Sequence, residues 1–566
     1  VMSGKYTLGL DFGTNSVRVL IVDVRDGREL ASYVCNYLHG DVGVMLKADQ
    51  PDLARQHPAE YIRGIEVGVT QAMEFAAAES SHEFSPRHVI GIGVDTTGST
   101  PLPVDANGHA LGLQKEFENN LDAMAWLWKD HTAYAEADEI TAAAQKQRPA
   151  YLVKCGGRYS SEWFWAKILR CARVAPRIFE AAHSWVEIAD WIPAVLSGTT
   201  ALNKLRRGAC AAGHKCLYNT RWGGFPDKGF LSSLHPGLAR IGQSLPATCA
   251  TVADSAGGLS AEWATKLGLP AGIPVAVGAF DAHLGAVGAG ICEGTLVKVM
   301  GTSTCDIMVM PMKKPLADIP GLCGIADESV LPGYFGLEAG QSAVGDIFNW
   351  FVKSICPGGP ELATHDSLTA AAMAVRPGES GLLTLDWHNG NRTVLVDQRL
   401  TGLTVGLTLH STPGEIYRSL IEGTAFGARV IMERFEKYGV PVKRVVNCGG
   451  IAARSPLAMQ IYADAMNRTV AVSRSTQTCA LGSAIAASVA AGTERGGHAD
   501  FGLAIKAMSG EPNVVYDPRP ANVAVYEKLY KLYVQLHDAF GVHGHQAGLS
   551  NVMKDLLDIR DAVHSC

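Results

Sequence analysis

The chain has 566 residues with a formal net charge of −6, and 18% of its residues are charged. This balance argues against nucleic acid or an anionic membrane surface as a partner, because both require a basic face. Hydrophobic residues make up 47% of the chain, which is enough for large cores, and a chain of this length corresponds to roughly two to four domains. The 13 cysteines are scattered without a C-x-x-C pair, which argues against a disulfide framework or a zinc site.

Two further features concern the compartment. The longest apolar stretch, residues 480–492, is too short to cross a bilayer. The first residues run directly into a strand pattern without the features of a signal peptide. We therefore expect a cytoplasmic protein with no membrane partner.

The first hundred residues alternate strand and helix patterns. Residues 6–23 indicate two strands around a tight Gly-Thr turn, and Asp26-Gly27 marks a second hairpin turn into residues 29–37. A helix begins at Pro58, and a buried strand over residues 89–94 ends at Asp95. This order predicts an α/β protein.

The rest of the chain supports a coarser prediction of its elements. The section from about residue 115 to 250 is rich in helix patterns and tryptophans, which we interpret as core packing. A further α/β stretch begins near residue 274. One or two peripheral helices are predicted, over residues 523–536 and then 551–563, and no chemistry is assigned to them.

A weak internal repeat relates the two halves of the chain. Residues 11–16 read Asp-Phe-Gly-Thr-Asn-Ser, and residues 299–304 read Val-Met-Gly-Thr-Ser-Thr. In both copies an apolar strand pattern precedes and follows the Gly-Thr turn. The repeat suggests two similar α/β domains facing each other, with a ligand in the cleft between them.

The first Gly-Thr turn has the composition of a phosphate-binding turn. Gly13 allows backbone amides to approach an anion, Thr14 and Asn15 offer side-chain donors, and Arg18 adds positive charge. Asp11 is a poor neighbour for a phosphate unless a cation lies between them, and Mg²⁺ would satisfy both groups. The alternative is an ordinary hairpin with a capped turn.

Two later glycine-rich segments offer similar chemistry. Residues 301–304, Gly-Thr-Ser-Thr, provide the same donors without a carboxylate, as a second phosphate clamp would. Residues 449–450 form a Gly-Gly pair ahead of a helix at residues 457–466, whose N-terminus can face a polar ligand. Neither a P-loop nor a dinucleotide fingerprint occurs in the required context, so those folds are disfavoured.

Asp281 is the strongest candidate for catalysis. It lies in a segment made almost wholly of apolar residues, glycine and alanine, where a charge is costly unless it has partners or a task. Such surroundings raise the proton affinity of a carboxylate, as a general base for a hydroxyl requires. The alternative is a structural aspartate that caps the following helix. His283 is interpreted either as a packing residue or as a residue that supports a neighbouring site residue.

Several segments together resemble the FGGY family of carbohydrate kinases, over nearly the whole chain. They are Gly-Val-Asp-Thr-Thr-Gly-Ser-Thr-Pro (93–101), Leu-Trp-Lys-Asp-His-Thr (127–132), Ser-Ser-Glu-Trp-Phe-Trp-Ala-Lys-Ile-Leu (160–169), Ala-Gly-His-Lys (212–215), Gly-Ala-Phe-Asp (278–281) and Gly-Thr-Ser-Thr-Cys-Asp (301–306). The resemblance implies two actin-like, ribonuclease-H-like ATPase domains with a nucleotide and sugar cleft between them. We place them at residues 1–288, with the sugar site, the first phosphate turn and the catalytic aspartate, and at residues 289–566, with the nucleotide site and the peripheral helices.

The resemblance also implies roles for individual positions. Asp281 matches the catalytic base, which also lies at the substrate, and Asp11 matches the aspartate linked to Mg²⁺. The positions matched to nucleotide binding are Thr14, Asn15, Arg18, Gly301, Thr302, Gly345, Asn349, Gly450 and Arg454. The positions matched to the sugar pocket are Ser99, Thr100, Leu102, Lys215 and Glu338.

The chain departs from the family pattern at three places. Where many relatives read Trp-x-Asp-x-Arg, this chain has Thr132 in place of the arginine. The family often has Asn where Arg454 stands, and the C-terminal signature is only partly met over residues 402–422. Sugar contacts of xylulose-phosphorylating relatives therefore do not transfer directly.

The function implied by the resemblance is ATP-dependent phosphorylation of L-ribulose at O5, a step of L-arabinose catabolism, with Mg²⁺ as the metal. The partner is a small ketopentose, and a homodimer is the candidate assembly. Three alternatives stay open: a kinase for D-ribulose, xylulose, ribitol or a related substrate, an actin-like nucleotide switch, and a catalytically inactive sugar sensor.

Overall fold

The structure is a computed structural model that describes residues 4–79, 84–546, 548–549 and 551–564. Its strands are β1 (Tyr6–Phe12), β2 (Ser16–Asp23), β3 (Glu29–Asn36), β4 (Met45–Lys47), β5 (Gln50–Gln56), β6 (Val89–Thr96), β7 (Pro101–Val104), β8 (Ala125–Trp126), β9 (Ser184–Glu187), β10 (Ser255–Gly258), β11 (Pro274–Ala276), β12 (Ala279–Phe280), β13 (Thr295–Met300), β14 (Thr304–Pro311), β15 (Gly324–Asp327), β16 (Tyr334–Ala339), β17 (Leu383–Leu385), β18 (Leu403–Val405), β19 (Arg444–Cys448), β20 (Val470–Val472) and β21 (Val514–Tyr516).

The helices are α1 (Pro58–Glu79), α2 (Tyr134–Gln147), α3 (Ala150–Val153), α4 (Phe164–Val174), α5 (Pro176–Ala181), α6 (Ile188–Ser197), α7 (Ala209–Lys215), α8 (Lys228–Leu234), α9 (Pro236–Gln243), α10 (Ala261–Leu267), α11 (Asp281–Gly288), α12 (Gly345–Trp350), α13 (His365–Met373), α14 (Pro413–Lys437), α15 (Gly450–Arg454), α16 (Pro456–Met466), α17 (Thr478–Ala491), α18 (Phe501–Met508), α19 (Pro520–Gly541) and α20 (Val552–His564). The predicted α/β class is confirmed.

The first sheet has the order β10-β11-β6-β1-β2-β3, and β12 also pairs with β6. Strands β1, β2 and β3 are antiparallel, whereas β6 runs parallel to β1, β11 and β12. Every residue of β1 and of β6 is buried. Such strands, covered on both faces, are typical of the parallel part of an α/β sheet.

The second sheet repeats this arrangement. Its order is β15-β16-β14-β13-β19-β20-β21, with β16, β14 and β13 antiparallel and β19 parallel to both β13 and β20. The outer strands β10 and β21 are each antiparallel to their neighbours. Each Gly-Thr turn joins the first two strands of its sheet, so the repeat in the sequence corresponds to a repeat in the topology.

Helix α17 connects the two halves. It follows β20 of the second sheet in the chain but packs against β1, β6 and α11 of the first half. A Cβ atom at Gly9 would lie 1.8 Å from the Ala480 carbonyl oxygen, and one at Gly93 would lie 1.8 Å from the Ser483 carbonyl oxygen. Only glycine at these two positions lets the helix backbone lie this close to the sheet.

The two C-terminal helices differ from the expectation. Both exist, but α19 is not peripheral, because Tyr526 and Tyr533 are fully buried in the core of the second half. Only Val552 and Leu556 of α20 are buried. The pattern of α19 was misleading because its buried face includes three tyrosines as well as leucines. The tyrosine hydroxyl groups bond to carboxylates, such as Tyr533 to the buried Asp386.

The predicted tryptophan core is largely confirmed. Five of the six residues are buried in the described structure, namely Trp126, Trp163, Trp165, Trp185 and Trp191. Trp128 is the exception, since its Nε1 donates a hydrogen bond of 3.0 Å to Thr14 Oγ1 in the first turn. Among the residues that the structure covers, no helix has both the length and the apolarity needed to cross a membrane.

Candidate active site

Three aspartates lie together at one edge of the first sheet. Asp11 is near the end of β1 and is paired in register with Asp95 near the end of β6. Asp281 follows β12, which is also parallel to β6, and is the first residue of α11. Because parallel strands end at the same edge of a sheet, these three carboxylates meet at the C-terminal edge. The sequence assigned no role to Asp95; the signal for it was a carboxylate that ends a buried strand.

Asp11 and Asp95 form a pair of carboxylates suited to a cation. Their donor atoms and the sulfur of Cys479 lie within 4.8 Å of one another. Asp95 Oδ2 accepts a 2.6 Å hydrogen bond from Ser483, whereas its buried Oδ1 has no hydrogen-bond partner among the described residues. Arg18 Nη1 lies 3.2 Å from Asp11 Oδ2. Two carboxylates with a free oxygen fit Mg²⁺, which is usually held by one or two carboxylates together with phosphate oxygens and water.

The protonation of this pair reflects its burial. Burial raises the pKa of Asp11, and the ion pair with Arg18 opposes the rise. Burial raises the pKa of Asp95 well above its usual range, and the charges of Asp11 and Asp281 raise it further. Without a cation the pair therefore favours holding a proton, whereas a bound cation favours the ionised form.

Asp281 has the properties of a general base. Burial, followed by the charge of Asp11, raises the pKa of its carboxyl to about 7; the charge of Glu338 adds to the rise, and Lys215 opposes it. Its Oδ1 accepts a 2.6 Å hydrogen bond from the amide of Ala282. Among the described residues, this local bond is the contact that fits the alternative role of a capping aspartate. The residue is, however, the first of α11 and not its N-cap.

Lys215 and Glu338 form a buried ion pair between the two halves. Lys215, at the end of α7, places Nζ 2.9 and 3.1 Å from the two carboxylate oxygens of Glu338 on β16. Its ammonium lies 5.1 Å from the centre of the Trp163 ring. Although burial opposes it, the ion pair with Lys215 lowers the pKa of Glu338 and raises that of Lys215, so both groups stay charged. The sequence predicted both residues separately, and the structure brings them together beside Asp281.

His214 and His283 also face Glu338, at 3.3 and 3.6 Å from its Oε2. Burial lowers the pKa of His283 to about 4 and that of His214 well below its usual range, so both imidazoles are neutral at pH 7. His283 is buried and contacts Glu338, so both interpretations of it, packing and support of a neighbouring site residue, are compatible with the structure. The sequence could not show the contact, because Glu338 on β16 is far from His283 along the chain.

The remaining sugar-pocket candidates are held by internal bonds. The Ser99 hydroxyl donates to the Glu187 carboxylate, and the Thr100 amide donates to the same group at 2.7 Å. Lys167 Nζ donates to the Ser99 carbonyl at 2.8 Å. Leu102 is fully buried in the hydrophobic core of the first half, so a sugar contact from its side chain is not supported. Its apolar character alone could not separate a core position from a pocket wall.

Each of the two predicted phosphate turns is closed by the amide of its glycine, but the two bonds span different numbers of residues. The amide of Gly13 donates to the Ser16 carbonyl at 2.9 Å, and the amide of Gly301 donates to the Ser303 carbonyl at 2.9 Å. Thr302 is exposed, and Thr14 is half-buried. Both turns are tight hairpins, and in the first of them the Thr14 hydroxyl already accepts the hydrogen bond from Trp128.

Asn15 differs from the other donors of the first turn. Its side-chain amide donates to the Val42 carbonyl at 2.5 Å, and its own carbonyl accepts from the Tyr37 amide. The structure thus engages Asn15 with a neighbouring loop. A bond from its side chain to a phosphate would require this contact to break.

The second turn is joined to the predicted adenosine element. The amides of Gly345 and Asp346 donate to the carbonyls of Gly301 and Thr302 at 3.2 and 3.1 Å. A Cβ atom at Gly345 would lie 2.5 Å from the Gly301 oxygen, so this approach requires glycine. Asn349 lies one helical turn further along α12 and is half-buried.

The Gly-Gly turn lies beside the same loop. Gly449 has a φ of 90°, and a Cβ atom there would lie 2.5 Å from the Met300 carbonyl oxygen. Gly450 is exposed and begins α15, and Arg454 Nε donates to its carbonyl at 3.0 Å. The three predicted nucleotide elements therefore converge at the ends of β13 and β19.

Comparisons with known proteins agree with this architecture. The N-terminal domain model of the FGGY family of carbohydrate kinases matches residues 6–288, and the C-terminal domain model matches residues 296–491. A protein from Shouchella clausii named ribulokinase is 40% identical, and the match covers 99% of this chain and all of the relative. A ribulokinase from Vibrio parahaemolyticus is 41% identical over 94% of this chain and 95% of the relative.

Solved structures give the same fold. The crystal structure of xylulose kinase from Rhodospirillum rubrum has a TM-score of 0.77 at 23% identity, covering 94% of this chain and 99% of the other. Gluconate kinase from Lactobacillus acidophilus has a TM-score of 0.76 at 19% identity, covering 96% and 99%. With both domain models matched across most of its length, this chain belongs to the FGGY family of carbohydrate kinases.

Proposed function

We propose that this kinase transfers the γ-phosphoryl group of ATP to O5 of L-ribulose, giving L-ribulose 5-phosphate and ADP. One observation carries the proposal: Asp281, with a pKa near 7, lies beside the buried Lys215–Glu338 pair at the sheet edge that also holds Asp11 and Asp95. The full-length relatives named ribulokinase support the choice of sugar.

Asp281 acts as the general base of the transfer. Its carboxylate accepts the O5 proton as O5 forms a bond to the γ-phosphorus, and the bond from phosphorus to the bridging oxygen breaks to release ADP. A base with a pKa near the working pH combines a useful ionised fraction with a useful proton affinity. The base contributes about 10²–10⁴-fold, and most of the remaining acceleration comes from positioning and electrostatics.

The phosphate groups are held by the chain's own donors. The turns at Gly13 and Gly301 offer backbone amides and hydroxyls, and Arg18 adds a positive charge next to Asp11. Asp11 and Asp95 would hold Mg²⁺, which neutralises charge on the phosphates when bound. Asp95 joins Asp11 in this role because its unpartnered oxygen lies in the same cluster.

Lys215 and Glu338 bind the hydroxyl groups of the sugar. The ammonium can donate and the carboxylate can accept, so the two together recognise a hydroxyl or carbonyl oxygen and a neighbouring hydroxyl. Lys215 belongs to the half that we assign to the sugar, residues 1–288, and Glu338 to the half that we assign to the nucleotide, residues 289–566. A sugar bound by both therefore contacts both halves, and an arrangement closed around it excludes water from the phosphoryl group.

The proposal is tested by coupled ADP release with Mg-ATP against L-ribulose, D-ribulose, both xyluloses, ribitol, L-arabitol and glycerol. We expect sugar-dependent turnover with the highest kcat/KM for L-ribulose. Pocket contacts discriminate related sugars by about 1–3 kcal/mol each, so weaker turnover of other ketopentoses is compatible with the proposal. A higher kcat/KM for xylulose or a pentitol would contradict it, as would ATP hydrolysis that does not depend on sugar.

A further inference from the structure

A cluster of two histidines and one carboxylate lies behind the proposed sugar pocket. His214 Nδ1 and His283 Nε2 approach the same oxygen of Glu338, Oε2, at 3.3 and 3.6 Å. The two rings are 4.5 Å apart between their centres, and the three donor atoms all lie within 4.8 Å of one another. Both histidines are only 2% exposed, and these two nitrogens make no hydrogen bond with any described residue.

The spacing matches metal coordination better than hydrogen bonding. In a tetrahedral zinc site with metal–ligand distances of about 2.0–2.2 Å, neighbouring donor atoms lie about 3.3–3.6 Å apart. The two measured distances to Glu338 Oε2 fall in this range. A direct hydrogen bond between a nitrogen and a carboxylate oxygen would be shorter, near 2.7–2.9 Å when charged.

The hydrogen bonds of His214 orient its free nitrogen. Its Nε2 lies 2.9 Å from Ser329 Oγ, and that hydroxyl donates to the Ala326 carbonyl at 3.3 Å. The network therefore assigns the proton to His214 Nε2 and leaves the lone pair of Nδ1 facing the carboxylate. The Nδ1 lone pair and the carboxylate oxygen repel each other unless a cation lies between them. A hydrogen bond from the other ring nitrogen, like that of Nε2 to Ser329, accompanies almost every metal-bound histidine.

We propose that His214, His283 and Glu338 form a binding site for a borderline divalent transition metal such as Zn²⁺. Imidazole and carboxylate suit this class of ion, whereas Mg²⁺ prefers a set of oxygen donors. Water completes the fourth position. The ammonium of Lys215 lies 2.9 Å from Glu338 Oε1 and 3.1 Å from Oε2, the oxygen that faces both histidines. It opposes the metal charge and competes for Oε2, so the site binds more weakly and more reversibly than a closed structural zinc site.

Occupation of this site has a consequence for the reaction, and this part rests on the proposed function. A metal on Oε2 holds Glu338 and weakens its pairing with Lys215, and both residues are needed for the sugar. Zn²⁺ should therefore inhibit in competition with the sugar and not with ATP. Histidine variants that lose the metal should lose this inhibition as well.

Binding is measured by equilibrium dialysis of Zn²⁺ against the full chain without sugar or ATP, in excess Mg²⁺ to fill the Asp11 cluster. We expect about one Zn²⁺ per chain, and at least a tenfold weaker affinity in His214→Ala and His283→Ala. His498→Gln is the matched control, because this half-buried histidine also bonds to a serine, Ser488, but lies outside the cluster. Ser329→Ala removes only the bond that orients His214 and should weaken binding about tenfold, no more than the loss of the histidine itself.

The wild-type chain provides a test that needs no variant. X-ray absorption at the zinc edge should show nitrogen and oxygen neighbours near 2.0–2.1 Å and no sulfur near 2.3 Å. Sulfur would place a cysteine in the ligand set, such as Cys479 or Cys323, whose Sγ lies 3.8 Å from Glu338 Oε1, and would overturn the proposed ligands. The absence of bound zinc, or unchanged binding in both histidine variants, would also overturn the proposal. Since none of these readouts involves turnover, a failure here is separate from a failure of ribulose phosphorylation.

Discussion

Replacing Asp281 by asparagine should lower the activity of the enzyme and raise the stability of its fold. Asparagine keeps the size of the side chain and an oxygen that can accept the Ala282 amide, but it cannot take a proton from the sugar. We expect kcat to fall about 10²–10⁴-fold, equivalent to roughly 3–5 kcal/mol of barrier, with nucleotide binding nearly intact.

The same substitution should stabilise the fold. The pKa of the Asp281 carboxyl rises from 3.8 to about 7 on folding, mainly through burial. Between these two values the unfolded chain has lost the proton and the folded chain retains it, so stability falls as the pH rises. The ionisable group then costs about 4 kcal/mol at pH 7 and about 2 kcal/mol at pH 5. The asparagine variant, which does not titrate, should be more stable by amounts of this order.

Two assays check this prediction together. Coupled ADP release measures the loss of turnover, and urea unfolding at pH 5 and pH 7 measures the stability difference. Asp366→Asn, which changes an exposed carboxyl at the start of α13, is the control and should alter neither quantity much. Near-full turnover of the Asp281 variant would refute the role as base. A stability difference that does not grow from pH 5 to pH 7 would refute the account of its environment.

Three further predictions concern other parts of the site. Lys215→Met leaves the Glu338 carboxylate buried without its partner and should lower the unfolding free energy by about 3–5 kcal/mol. Urea unfolding of this variant and of the Lys215→Met/Glu338→Gln double variant measures the loss and its recovery. A double variant that recovers no stability would contradict the prediction. Asp95→Asn should raise the Mg²⁺ concentration needed for half-maximal rate about tenfold or more, as a Mg²⁺ titration will show; an unchanged requirement would exclude Asp95 from the cation site. Gly345→Ala places a Cβ atom 2.5 Å from the Gly301 oxygen. It should raise the KM for ATP about 10–100-fold and have a smaller effect on the KM for sugar. Initial rates at varied ATP and sugar concentrations measure the two KM values separately.

Local patterns in the sequence predicted much of the fold. Both Gly-Thr turns, the strand before Asp95 and the helix at Pro58 follow from turn chemistry and periodicity, and the structure has all of them. The repeat correctly indicated two similar sheets. The packing of α17 against β1 was not predictable, because the glycine that permits it, Gly9, gives no sign of which distant helix it meets.

The sequence indicated most residues of the candidate site one by one but not their contacts with one another. Asp281 stands out because its carboxylate is surrounded by apolar sequence, and this is a local signal. The pairing of Lys215 with Glu338 joins residues 123 positions apart, and the meeting of Asp95 with Asp11 depends on which strands pair in parallel. Such contacts are set by topology, so no single stretch of sequence could show them.

The most direct test of the central claim is the position of the new phosphate on the sugar. The purified chain is incubated with Mg-ATP and L-ribulose labelled with ¹³C at C5, and the product is examined by ¹³C and ³¹P nuclear magnetic resonance. We expect the C5 signal to split through coupling to phosphorus and the product to be L-ribulose 5-phosphate. An unsplit C5 signal in a phosphorylated product, or no phosphorylated sugar at all, would contradict it.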